Sequence, residues 1–312
     1  MSKEYNQKFL ITGATGMLGS HILELALANQ LDVLSPKRDE LNLFDVNEVS
    51  DYLIDNQVTS VIHCAAQVGG IQKNIDDPAG FLNNNLKIDM SMIWSAERHK
   101  IREFIYFGSS CMYPRECTQP MEENQILSGE LEPTNESYAL AKIVASELVA
   151  KLGQQLKHNW RVLILSNLYG PRDNFEESSS HLVAAIIRKI SEAKNHGLNE
   201  VEIWGDGKAR REFTYVSDVA KFVVEEIQNI DKWPLMMNLG YGKDYSIFEF
   251  YKIVADSIGY TGGFRFNPRK PTGMHQKLLN SNVARNYNWV PKTSMIQGIE
   301  ETIRWYTQNR RS

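Results

Sequence analysis

The stretch Lys8-Phe9-Leu10-Ile11-Thr12-Gly13-Ala14-Thr15-Gly16-Met17-Leu18-Gly19 decides the fold. Its first part is apolar and β-prone, its middle is glycine-rich, and Met17 to Asn29 has helical periodicity. Strand, glycine loop and helix in that order make a phosphate cradle. Glycine lets the backbone turn tightly and approach a pyrophosphate, and the helix aims its first N–H groups at the anion. The spacing is GxxGxxG rather than the GxGxxG dinucleotide fingerprint, so the reading rests on position between strand and helix.

Working outward, strand-like and helix-like runs alternate. Val58–Ala66 reads as a buried strand, Pro78 to about His99 as a helix and Glu103–Ser109 as a strand. Ser137 to about Gln155 is a helix and Arg161–Ser166 a strand. Helical crossovers between strands imply a parallel sheet covered on both faces. The last third breaks this rhythm. It carries short strand candidates at Val201–Trp204, Glu212–Val216, Met236–Leu239 and Phe264–Phe266, and loops rich in Pro, Gly and Arg, such as Asn267-Pro268-Arg269-Lys270-Pro271. Capping boxes open two of its helices, Ser246 with Glu249 and Ser294 with Gln297. The expected architecture is α/β: a Rossmann-type doubly wound parallel sheet over residues 1–167, then a smaller mixed α/β lobe over 168–312. Segments at about 212–240 are expected to return to the first domain.

Composition narrows the class. The chain has 312 residues, 42% hydrophobic and 23% charged, which excludes disordered and fibrous classes. A net charge of −4 offers no basic field for nucleic acid. Three cysteines (Cys64, Cys111, Cys117) without CxxC spacing argue against a disulfide framework and a structural zinc site, and no metal is expected. The polar start Met1 to Gln7 carries no signal-peptide pattern. No uncharged apolar run approaches the roughly 18 residues of a membrane helix. A cytoplasmic protein without a membrane partner is the expectation.

The second strand, Val33-Leu34, runs into Ser35-Pro36-Lys37-Arg38. No acid stands there for a ribose 2′-hydroxyl, and two cations stand where a 2′-phosphate would need them, so NADP is the expected cofactor. The alternative is a solvated basic turn. Further on, Tyr138 and Lys142 are four apart and share one helix face. A lysine ammonium beside a tyrosine stabilises its phenolate and lowers its pKa from about 10 towards neutrality. Ser109, at an earlier strand end, supplies a third hydroxyl.

With these residues in view, the chain resembles the extended short-chain dehydrogenase/reductase family. Val68-Gly69-Gly70-Ile71, Gly108-Ser109-Ser110-Cys111-Met112-Tyr113-Pro114, Leu131-Glu132-Pro133-Thr134-Asn135-Glu136, Asn167-Leu168-Tyr169-Gly170-Pro171 and Asp173-Asn174-Phe175 are similar to the GDP-L-fucose synthases within it. The resemblance runs from the phosphate loop to the final helix. It implies Ser109, Tyr138 and Lys142 as a reductase triad and Cys111 with His181 as an epimerisation pair. It implies NADP on Gly13, Thr15, Gly16, Met17 and Gly19 with Lys37, Arg38, Tyr138 and Lys142. It implies a GDP-sugar on Asn167, Lys189, Trp204, Arg211 and Lys277, and a homodimer. Inverting a carbon beside a ketone needs one group to take a proton and another to return it, and imidazole and thiol bracket neutral pH. Each residue has a plainer reading. Cys111 could be a small buried hydrophobe, His181 a capping or surface residue after Ser178-Ser179-Ser180, and Trp204 a core aromatic.

The implied reaction is NADPH-dependent 3,5-epimerisation and 4-reduction of GDP-4-keto-6-deoxy-D-mannose to GDP-L-fucose. Rivals are a related GDP-4-keto sugar (a 3,6-dideoxyhexose as in colitose, or a 6-deoxyheptose), a 4-keto reductase without epimerisation, and a non-catalytic NADP-sensing module. Departures from the resembled pattern fall on Thr15 and Lys189, where arginines are typical, on the Pro36-Lys37 turn, and on Asn280, where an acid follows Lys277.

Overall fold

The computed structural model describes residues 7–177, 179–270 and 273–309. Ser178 of the serine run, Pro271 of the basic loop and Met1 to Asn6 lie outside the described residues. In chain order the first elements are β1 (Lys8–Thr12), α1 (Met17–Ala28), β2 (Asp32–Leu34), α2 (Val46–Asp55), β3 (Ser60–His63), α3 (Ile71–Asp76) and α4 (Pro78–Arg98). β4 (Glu103–Ser109), α5 (Glu136–Leu156), β5 (Asn159–Leu165) and β6 (Asn167–Tyr169) follow. Then come α6 (Leu182–Asn195), β7 (Glu200–Trp204), β8 (Arg210–Tyr215), α7 (Val216–Glu226), β9 (Met236–Leu239) and β10 (Asp244–Ser246). The last are α8 (Ile247–Ile258), β11 (Gly263–Asn267), β12 (Gln276–Lys277), α9 (Asn282–Arg285) and α10 (Met295–Asn309).

Six strands form one parallel sheet in the order β2-β1-β3-β4-β5-β9. Its inner strands are continuous apolar runs, such as Phe104-Ile105-Tyr106-Phe107 in β4, because both faces are covered. On one face α2, α4 and α5 contribute Val49, Leu53, Met92, Ile93, Ala145 and Val149 to a core. On the other, α1 and α7 contribute Ile22, Ala26, Val219, Ala220 and Val223. Strand order reverses between β1 and β3. Ligands of open parallel sheets bind in the crevice beyond the carboxyl ends of such a pair.

The remaining strands make small sheets over a third core, built from α6, α8 and α10 with Ile187, Ile190, Phe213, Phe250 and Ile299. Strands β7 and β11 pair with each other, and strand β8 is the hub of the rest. It pairs antiparallel with β10 and parallel with β12 and β6.

Two expectations are corrected at element ends. Strand β3 stops at His63 rather than Ala66, because the following segment bends beneath the glycine loop and the Ala65 N–H donates to Thr12 Oγ1 at 3.2 Å. The two capping boxes also differ. Ser246 and Glu249 bond each other's backbones reciprocally, whereas at Ser294 the recorded bond is the Gln297 N–H donating to the hydroxyl. Among the described residues, no helix is long and apolar enough to cross a membrane.

Candidate active site

The phosphate loop is built as its glycines require. Gly13 has φ +66°, and a Cβ there would lie 2.7 Å from the Ala65 nitrogen. A Cβ on Gly19 would meet the Gly13 carbonyl at 2.3 Å. Gly16 caps α1 without a side chain, Thr15 and Gly16 are exposed on the loop, and Met17 begins the helix. This bare helix N-terminus beside a backbone-only turn fits a dinucleotide pyrophosphate. Lys37 and Arg38 lie exposed in the turn after β2. An acid also sits in that turn: the Glu40 carboxylate accepts from the Lys37 N–H at 2.8 Å.

The catalytic candidates converge at the carboxyl end of β4 and the first turns of α5. Ser109 ends β4 and starts a 3-10 turn over Ser110–Met112. Its hydroxyl oxygen accepts from the Cys111 N–H at 3.4 Å and from the Cys111 thiol at 3.1 Å, which leaves the Ser109 O–H to donate. Tyr138, half-buried on α5, has its pKa held well above the usual tyrosine range by burial, by the Cys111 thiol and by Asp89. It therefore keeps its proton at neutral pH.

Lys142 departs from the expected arrangement. Its ammonium donates to the Tyr106 hydroxyl at 3.0 Å, lies 4.4 Å from that ring's centre and stands 5.9 Å from the centre of the Tyr138 ring. The lysine is thus bonded to Tyr106, with the Tyr138 ring the farther of the two. Sequence reading missed Tyr106 and its partner Asp89. The available signal was Asp89 on the face of α4 that also presents Ile88, Met92 and Ile93 to the core.

His181 is the N-cap residue of α6, and burial lowers its pKa, so the ring is neutral at physiological pH and able to accept a proton. Its loop docks on the Val68–Ile71 segment through the Gly70 N–H, which donates to the Ser179 carbonyl at 3.3 Å.

The proposed sugar-nucleotide residues fall into two groups, Asn167, Arg211 and Lys277 on or beside β8 and Lys189 with Trp204 on α6 and β7. Arg211 and Lys277 are register partners on β8 and β12. Burial pushes Arg211 down to about 10, while Glu132 opposes that shift. Burial also lowers Lys277; Cys111, Glu132 and Cys117 raise it, and Arg211 lowers it further. An open cleft of about 450 Å³ is lined by Arg115, Cys117, Glu132, Met274, His275 and Gln276, and Glu132 acts on both cations. Asn167, half-buried at the start of β6, donates to the Glu212 carbonyl at 3.4 Å. Lys189 and Trp204 are neighbours: the Lys189 ammonium lies 5.4 Å from the centre of the indole ring, and Lys270, which sequence reading missed, lies 4.9 Å from it. Burial lowers Lys189, with Arg188 and Lys270 adding to the shift and Glu202 and Glu177 opposing it. Trp204 is therefore a partly exposed platform between cations and not an interior aromatic.

Residues 9–240 match the NAD dependent epimerase/dehydratase family. The chain is 39% identical to the GDP-L-colitose synthase of Yersinia pseudotuberculosis over 304 residues, covering 97% of this chain and 99% of that protein. It is 38% identical to the GDP-L-fucose synthase of Azorhizobium caulinodans over 300 residues, covering 96% of each. A GDP-mannoheptose C4 reductase from Campylobacter jejuni, solved with NADP bound, superposes with a TM-score of 0.87 at 28% identity, covering 97% of this chain and 98% of that one.

Proposed function

The chain belongs to the NAD dependent epimerase/dehydratase family, and we propose that it is an NADPH-dependent epimerase and reductase of a GDP-4-keto-deoxy sugar. The favoured substrate is GDP-4-keto-6-deoxy-D-mannose and the product GDP-L-fucose. The observation that carries the reading is the meeting of two proton-handling groups, Cys111 and Tyr138, beside Ser109 at the end of β4, with Lys277 close enough to Cys111 to feel its charge and Arg211 as the register partner of Lys277.

The GDP diphosphate lies against Arg211, Lys277, Lys189 and Lys270, because guanidinium and ammonium groups are its natural partners, and the base stacks near Trp204. In epimerisation His181 removes a proton from the carbon beside the ketone, and Cys111 returns one to the opposite face. Ser109 and Tyr138 donate hydrogen bonds to the C4 oxygen and stabilise the enolate. In reduction Tyr138 gives its proton to that oxygen. Gly13, Thr15, Gly16, Met17 and Gly19 hold NADPH by its pyrophosphate, with Lys37 and Arg38 on the 2′-phosphate. Bound there, the cofactor supplies the hydride.

A second reading has direct support. The colitose and fucose synthases are 39% and 38% identical to this chain, a margin too small to choose between a 3,6-dideoxy and a 6-deoxy substrate. Incubation with GDP-4-keto-6-deoxy-D-mannose and NADPH, followed by NMR of the product, tests the proposal. Product with inverted C3 and C5 and a reduced C4 supports it. No NADPH oxidation with this sugar, but turnover of its 3-deoxy analogue, would move the assignment to the dideoxy sugar. A homodimer would fit exposed apolar side chains at Trp94 on α4 and at Leu140 and Val144 on the adjoining α5.

A further inference from the structure

Beneath the proposed site runs a closed chain of buried polar groups that the reaction as described does not use. The Lys142 ammonium donates to Tyr106 Oη at 3.0 Å, and Tyr106 O–H donates to Asp89 Oδ2 at 2.6 Å. Asp89 Oδ1 lies 3.1 Å from His63 Nε2, and His63 Nδ1 lies 2.8 Å from Thr12 Oγ1. Thr12 Oγ1 accepts from the Ala65 N–H. Asp89 and Tyr106 are 0% exposed, His63 1%, Thr12 2% and Lys142 3%.

With the Ala65 N–H accepted at Thr12 Oγ1 and the Thr12 proton given to His63 Nδ1, the His63 Nε2 N–H is left to donate to Asp89. Asp89 thus has Tyr106 and His63 as partners, and Lys142 stands one hydroxyl away from it. A buried carboxylate without such partners would be strongly destabilising, so the set is complete only when all members are present. The groups around Lys142 are Tyr106 on β4, Tyr138 on its own helix and the Cys64 thiol after β3. Those raising Tyr138 are the Cys111 thiol and Asp89.

We propose that Tyr106 and Asp89 are positioning residues that set how much of the Lys142 charge reaches Tyr138, tying the proton donor to the base of the phosphate loop through His63 and Thr12. This deepens the function proposed above and rests on Tyr138 being the proton donor. Tyr106 keeps the ammonium off the buried carboxylate. Without its hydroxyl, Asp89 draws Lys142 inward and away from Tyr138. Without the Asp89 charge, a group that opposes Tyr138 ionisation is gone.

The test uses the full chain with NADPH and GDP-4-keto-6-deoxy-D-mannose, and Tyr138→Phe as the reference. Tyr106→Phe should lower kcat about tenfold, leave both KM values within about threefold, and raise the solvent deuterium isotope effect on kcat as proton donation becomes limiting. Asp89→Asn should move the alkaline limb of kcat to lower pH than in the wild type. If Tyr138→Phe is inactive while Tyr106→Phe keeps kcat within about twofold with a wild-type isotope effect, the relay is merely structural and the proposal is overturned. An unmoved alkaline limb in a folded Asp89→Asn enzyme overturns it equally. If Asp89→Asn does not fold, Tyr106→Phe decides alone. Activity in Tyr138→Phe would instead remove the proposed function on which the inference rests.

Discussion

Lys142 and Lys277 are both buried lysines, 3% and 8% exposed, yet the two halves of the molecule treat them differently. In the parallel-sheet half, Lys142 has an internal partner in Tyr106, which joins it to Asp89. In the C-terminal half, Lys277 lies beside Arg211 on the neighbouring strand, with Glu132 as the acid acting on both. Burial depresses both cations, which favours an anion brought against them. A lysine tied to an internal carboxylate therefore reads as positioning machinery, and two neighbouring cations on paired strands as a candidate anion site.

The contrast yields predictions of decreasing size. Tyr138→Phe keeps the ring and removes only the hydroxyl that donates the proton. It should cut kcat at least about a hundredfold with GDP-sugar binding little changed, since the loss belongs to the transition state. Near-normal NADPH oxidation by this variant would break the assignment of the sheet half to chemistry.

Cys111→Ser and His181→Asn should each reduce deuterium incorporation at C3 and C5 by about a hundredfold while NADPH still binds. Wild-type exchange in both variants would make the two residues structural. Burial lowers the His181 pKa, so exchange in the wild type should persist below pH 6.5, the ordinary imidazole value, before protonation removes the base.

Lys277→Met tests the other half. GDP affinity measured by calorimetry should weaken about tenfold, roughly 1.4 kcal/mol, while NADPH affinity is unchanged. Equal loss of both ligands would mean that the lysine supports the fold and not the anion. For the cofactor, NADPH should exceed NADH in kcat/KM by about tenfold or more, and Arg38→Ala should penalise NADPH much more than NADH. Glu40, folded onto the same turn, makes this the arm of the comparison most open to surprise.

The smallest effect concerns stability. Burial pushes Glu212 up to about 7 although backbone N–H groups of Leu279, Gly242 and Tyr241 bond it. The folded state then holds this proton more tightly than the unfolded chain. Its contribution is present below the ordinary carboxylate range and is lost as pH rises through about 7. Between pH 6.5 and 8 the melting temperature should fall modestly, and less so in Glu212→Gln. Asp173, also pushed up to about 7 by burial, acts in the same direction and supplies the rest of the slope. His181 has the opposite sign, since its lowered value costs stability only on acidification, and that window avoids it.

What the sequence determined by itself was local and periodic. The glycine loop after β1, the apolar run Phe104–Phe107 and the Tyr138/Lys142 spacing each follow from backbone sterics or helix and strand periods, which act over a few residues. These were enough to read the doubly wound sheet and to nominate the catalytic candidates. The helix Val46–Asp55 escaped notice although Asp45 caps it and Val46, Val49 and Leu53 recur at helical spacing. Only the tertiary structure decided where charges go. Arg211 and Lys277 are 66 positions apart and become neighbours through strand pairing. Lys142, Tyr106, Asp89, His63 and Thr12 come from five separate elements and meet only when the sheet is assembled and helices α4 and α5 pack on it. Spacing along a helix could show that Lys142 shares a face with Tyr138. It could not show that a hydroxyl and a carboxylate from other elements would claim the ammonium. That choice depends on burial and distance, and neither exists before the chain is folded.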